Sequence, residues 1–147
     1  MVKCVGVIES PKGSNKGDSV TKWLKLVGIN YAAPWCGVFT GIKSVEGVSE
    51  PSFISGRAKS YAISGYAYQL SDVIYGNYTI KAGDWRVKSR KGGGHVDTFI
   101  SWDNEKQEGY VIGGNVNDQV SIRKVTLRSM IADQTTHIVD IKGFYNY

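Results

Sequence analysis

The chain has 147 residues, a length that fits one domain. Apolar residues make up 41% and charged residues 21%, which excludes a disordered or collagen-like chain, and no apolar run reaches the roughly 20 residues that span a bilayer. The net charge of +5 favours a polyanionic partner such as nucleic acid, an anionic membrane or a bacterial wall, although the Lys and Arg residues are scattered apart from Lys81, Arg86, Lys88, Arg90 and Lys91.

From the start, Met1–Pro11 holds one Lys and an apolar stretch that ends at Glu9, too short for a signal-peptide core, so any export is expected to be Sec-independent. Cys4 is expected in a terminal strand with Val5, Val7 and Ile8. The two cysteines make neither a disulfide framework nor a zinc site, leaving one disulfide or two thiols. Ser10–Gly17 reads as a polar loop. Val20, Trp23, Leu24 and Val27 then recur at helical spacing, with Asp18 or Ser19 to cap and Gly28 to close, which predicts a helix over 19–27. A second helix is predicted with Pro34 in its first turn, Val38, Phe39 and Ile42 on its apolar face and Cys36 near its start. A third, short helix is expected near 56–63, capped by Ser55.

Past residue 78 the pattern has period two. Strands are predicted at Asp84–Lys88, Val96–Trp102, Gly109–Ile112, Val120–Val125 and Ile138–Tyr145, with a polar turn over Asp103–Glu108. Asp84 is expected to shape the turn into the first of them. N-terminal helices followed by antiparallel strands describe an α+β fold.

Three residues are candidates for chemistry. Cys36 at a helix start meets free N–H groups and a partial positive charge, which favour the thiolate and can hold an oxyanion; the alternative is a buried structural Cys. His95 follows Gly92-Gly93-Gly94 and can serve as a base or stand as a structural strand residue, while His137 reads as surface. Asn115 follows Gly113-Gly114. A hairpin centred between Glu105 and Lys106 puts it beside His95, or opposite it after a one-residue slip, so it either orients the imidazole or simply forms a turn. Asp97 shares a strand face with His95. It is read as a solvated edge charge, with orientation of His95 or contact with substrate as alternatives.

Tyr31-Ala32-Ala33-Pro34-Trp35-Cys36-Gly37-Val38-Phe39, Ala82-Gly83-Asp84, Gly94-His95-Val96 and Val111–Ile122 with Gly113-Gly114-Asn115, in that order, resemble the nucleophile, turn, histidine and following-strand segments of compact CHAP and NlpC/P60-type bacterial and phage cysteine peptidases. The likeness is greatest to a phage- and prophage-associated branch and runs from about residue 9 to 125. It implies a single papain-like domain over 1–147, with helices packed on a C-terminal antiparallel sheet. It also implies cleavage of an amide bond of peptidoglycan, with Cys36 as nucleophile, His95 as base and Asn115 as orienting residue. The Cys36 N–H, with Tyr31 or Trp35, would hold the oxyanion, and no metal or organic cofactor is implied. The expected setting is cytoplasmic synthesis followed by phage- or secretion-dependent release to the wall. A monomer is expected, with peptidoglycan as partner and an immunity protein if the chain is an antibacterial effector. Neither nucleic-acid binding nor membrane insertion is expected. Asp97, where the family carries a small or apolar residue, and the long segment Gln69–Lys81 depart from the pattern. The competing readings are a cysteine peptidase or acyltransferase acting on protein or lipid, and a non-catalytic binding or virion structural module of the same fold.

Overall fold

The computed structural model describes residues 1–44 and 55–145. Two short helices lead: α1 (Asp18–Leu26) and α2 (Cys36–Ser44). A 3-10 turn (Ala58–Tyr61), β1 (Ala67–Gln69) and α3 (Leu70–Ile74) follow. Then come β2 (Trp85–Arg90), β3 (Gly93–Asp103), β4 (Glu108–Val116), β5 (Gln119–Thr126), α4 (Leu127–Ala132), β6 (Thr135–Val139) and α5 (Ile141–Tyr145). The six strands form one antiparallel sheet in the order β1-β6-β2-β3-β4-β5. The chain is therefore α+β, with helices on a largely C-terminal sheet. No helix among the described residues is long and apolar enough to cross a membrane.

The alternation of each strand sorts its side chains between two packed faces. Trp85, Val87, Val96, Ile112, Val120 and Val139 point to the face covered by α1, α2 and the 3-10 turn, where they meet Val20, Trp23, Leu24, Trp35, Cys36, Phe39 and Tyr61. Phe99, Val111, Val125 and Ile138 point to the other face, under Leu70 and Val73 of α3 and Met130 of α4. Trp23, Trp35 and Phe39 form an aromatic cluster with centroids 5.3–6.5 Å apart. Such tilted and edge-on pairs add to what area burial contributes.

Several expectations need correction. Gly17, in a left-handed backbone, caps α1, and Asp18 sits in the first turn without a side-chain capping bond. Pro34 lies ahead of α2; Trp35 C=O accepts the first helical bond, from Phe39 N–H. The third helix shrinks to the 3-10 turn, its start tied by the Arg57 N–H to Ser55 Oγ at 3.0 Å. The predicted strand 138–145 ends at Val139, because Asp140 turns the chain into α5 and accepts from Gly143 N–H. Cys4 belongs to a 3-10 turn (Val2–Cys4), with Val5 and Ile8 exposed; the segment after it meets the edge of β5 through an isolated bridge of Ile8 with Gln119, the Gly6 N–H to Val120 C=O and the Val120 N–H to Val7 C=O. Both cysteines are free. Asp84 does shape its turn: buried, it accepts from Tyr78 O–H and Lys81 N–H.

Candidate functional site

Cys36 is the first residue of α2, and a buried clamp fixes the approach to it. The Trp35 indole N–H donates to Glu9 Oε1 at 2.8 Å, and Glu9 Oε2 accepts the Asn15 N–H at 2.9 Å. Both Trp35 and Glu9 are buried. Gly37 comes next because a Cβ there would stand 2.8 Å from Ser55 O and 3.3 Å from the Tyr61 ring, while the Tyr61 hydroxyl donates to Gly37 C=O. Burial pushes the Cys36 thiol up from its ordinary range; the Val96 backbone amide and the charge of Arg90 oppose this without overcoming it.

The thiol borders an open groove of about 880 Å³. Arg57, Lys59, Arg90 and Lys91 supply a basic wall, and Asn15, Asn115, Tyr31 and Asp118 border the rest. Gly94 permits a close approach: a Cβ there would meet Lys59 Cγ at 2.8 Å and Lys88 O at 2.9 Å. Neither His95 nor Asp97 borders this groove.

The sheet separates the two residues expected to pair. Val96 packs with Cys36 on the α2 face, so its neighbours His95 and Asp97 leave β3 on the opposite face. There the His95 Nε2 lies 3.4 Å from Asp97 Oδ2, and 3.2 Å from where a Gly113 Cβ would stand. Neither ring nitrogen meets hydrogen-bond geometry with a described residue, and the approach to Asp97 becomes an ion pair only when the imidazole is protonated. Burial lowers the His95 pKa, more than Asp97 raises it. The structure thus does not bring the Cys36 thiol and the imidazole onto one face.

Asp97 is not a solvated edge charge. It is fully buried, and Arg86 grips it with Nε at 2.9 Å and Nη2 at 2.6 Å while Arg123 Nη2 adds a bond at 3.1 Å. The other side of Arg86 bonds Asp133 at 3.0 Å, which also takes Lys88 at 3.1 Å. So committed, Asp97 is withdrawn from substrate. Burial raises its carboxyl pKa, but the Arg86 charge and hydrogen bonds win and hold it well below the usual carboxylate range.

Asn115 stands in a left-handed backbone at φ 55° and directs its amide to Asn15 Oδ1 at 3.4 Å, on the groove side. A β-bulge at Ile100 supplies a one-residue slip, but β3–β4 pairing runs no further than Thr98 with Ile112, so no ladder pair joins His95 to Asn115. The Trp35 indole N–H is spent on Glu9, which removes it as an oxyanion donor. Tyr31 is 72% exposed at the groove edge. The free N–H groups of the first turn of α2, Cys36 included, remain as donors.

Two features escaped the sequence reading. Arg57 and Lys59 join Arg90 and Lys91 at the groove, whereas Arg86 and Lys88, counted with the basic cluster, are spent in buried or half-buried pairs. The signal for the Arg86–Asp97 pair was present: a tight turn at Lys91-Gly92 pairs Arg90 with Gly93 and hence Arg86 with Asp97. Among the described residues no group of three or more His, Cys, Asp or Glu gathers to hold a metal ion. No family model, curated protein or solved structure matches the chain.

Proposed function

We propose that the chain hydrolyses an amide bond in the peptide of bacterial peptidoglycan, with Cys36 as nucleophile. The observation that carries this reading is the position of Cys36, first residue of a buried helix and at the border of an open groove lined with cations and side-chain amides. A scissile carbonyl laid there faces a sulfur and the free N–H groups of the helix start together. The thiol gives up its proton and attacks the carbonyl, the C–N bond breaks, and the amine leaves with a proton. Water then cleaves the thioester and restores the thiol. The ordered motifs around Cys36, His95 and Asn115, with their likeness to small papain-like wall hydrolases, add support. Release to the wall by a phage or secretion route belongs to the same proposal.

A second reading has its own observation. His95 lies on the reverse face with its ring fully enclosed, the arrangement of a structural residue, and this favours a non-catalytic wall-binding module of the same architecture. Digesting purified peptidoglycan and identifying products by mass spectrometry separates the two. The hydrolase releases defined muropeptides, Cys36→Ala abolishes release, and His95→Ala does so equally if the imidazole takes the thiol proton. Wall pull-down by the wild-type chain with no released product would establish the binding module and refute hydrolysis.

A further inference from the structure

The groove beside Cys36 has an unbalanced charge that a neutral substrate would leave unanswered. Arg57 and Lys59 come from the 3-10 segment, Arg90 from the end of β2 and Lys91 from the turn after it, and the stem of Lys59 lies on Gly94, which brings the two pairs to one wall. All four are exposed, and none is ion-paired to a described residue. The cations on the adjoining strands differ: Arg86, Lys88, Arg123 and Lys124 all bond carboxylates. Of the described residues bordering the groove only Asp118 is acidic. Four clustered like charges repel one another, and an anion in the groove relieves that repulsion. The remaining border is not that of a bare polyanion site. Ile29, Ala33, Pro34 and Ala58 offer small apolar contacts, and Asn15 and Asn115 offer amides that bond a peptide backbone.

We propose that this basic wall is a carboxylate subsite, so that the groove selects short peptides with small aliphatic side chains and free carboxylates over their carboxamide forms. The inference rests on the wall-peptide reading and specifies which peptides it concerns. An arginine fork matches a carboxylate in two parallel bonds, whereas a carboxamide presents one acceptor and no charge.

The test uses the full chain carrying Cys36→Ala, which holds a substrate without turning it over. The probes are a fluorescently labelled stem tetrapeptide with free carboxylates and the same peptide with its carboxylates amidated. The acidic peptide is expected to bind about fivefold or more tightly than the amidated one, as several partly exposed ion pairs give, and the margin should shrink with added salt. Adding Arg57→Gln and Arg90→Gln together should erase the margin, the acidic peptide losing more affinity than the amidated one until the two bind alike. Lys106→Gln, the same charge change in the distant β3–β4 turn, should alter neither. Equal binding of the two peptides overturns the proposal, as does a glycerol-phosphate oligomer or a short DNA strand that outcompetes the acidic peptide. Selective binding without Cys36-dependent product release retires hydrolysis and keeps the subsite; Cys36-dependent release without selectivity does the reverse.

Discussion

Asp97→Asn tests the buried ion network that occupies the reverse face of the sheet. The substitution keeps the shape of the side chain and removes its charge. Arg86, with no exposed side-chain surface, then loses a bidentate carboxylate bound at 2.6 and 2.9 Å and keeps only Asp133 at 3.0 Å. Breaking one partner of a buried pair costs about 3–5 kcal/mol, and the surviving Asp133 contact places this case near the lower end, at about 3 kcal/mol. With a urea slope of roughly 1.5 kcal/mol per molar for a domain of this size, the midpoint should fall by about 2 M, read from tryptophan fluorescence. Replacing both partners, Arg86→Met with Asp97→Leu, should recover much of the loss, because no uncompensated charge then stays buried. The pH dependence follows the depressed Asp97 pKa. Its contribution is present above the unfolded value of about 3.9 and lost as pH falls below that toward the folded value, so the gap between wild type and Asp97→Asn should narrow below about pH 4. An Asp97→Asn cost under about 1 kcal/mol, or a double variant as unstable as the two singles combined, refutes the network as a source of stability.

Three further outcomes are expected. Burial lowers the His95 pKa, so its neutral form supports the fold above the unfolded value of about 6.5 and that support drains away as pH falls; His95→Gln should flatten the stability slope between about pH 6.5 and 5, and an unchanged slope in urea titrations would contradict this. Gly114→Ala puts a Cβ 2.7 Å from Phe39 Cβ and 2.8 Å from Trp35 Cζ3, which should cost about 1–3 kcal/mol, whereas Gly93→Ala meets open space and should stay within about 0.5 kcal/mol; equal midpoints would show that α2 yields freely. The raised Cys36 pKa keeps the free protein's thiol protonated near neutrality, so iodoacetamide should label it slowly at pH 7.5 and faster as pH rises beyond the ordinary thiol range; rapid labelling at pH 7 would reveal activation that this geometry lacks.

Local patterning carried the sequence reading where one element answers to one period. The apolar spacing of Val20, Trp23 and Leu24 located α1 within a residue at each end, and the alternation after residue 78 located β2 to β5. The hairpin centred between Glu105 and Lys106 holds for Asp103 with Glu108 up to the bulge at Ile100, a register shift that no local pattern announces. The missed elements are short or depend on distant partners. β1 has three residues and pairs only with β6, some seventy positions later, and α4 is six residues long with Thr126 and Ser129 as a capping pair. Asp97 was misread because charge in a strand suggests solvent unless the opposite strand is considered together with it. At the candidate site, the position of Cys36 at a helix start was legible from Pro34 and the apolar face of α2. The faces of Cys36 and His95 were not, because parity along β3 has meaning only once the face that receives α2 is known.

The seating of β6 between β1 and β2 also governs the order in which this molecule can be built. A chain leaving the ribosome can zip β2 to β5 by successive hairpins as each strand emerges. The slot between β1 and β2 stays vacant until Thr135–Val139 arrives, so the inner edges of both strands wait unpaired. Such edges invite pairing with other chains, and closing the slot brings together contacts far apart in sequence, a slow step. The nascent protein should therefore depend on chaperone cover through the synthesis of its last strand, and stalling just before residue 135 should leave a species prone to aggregation.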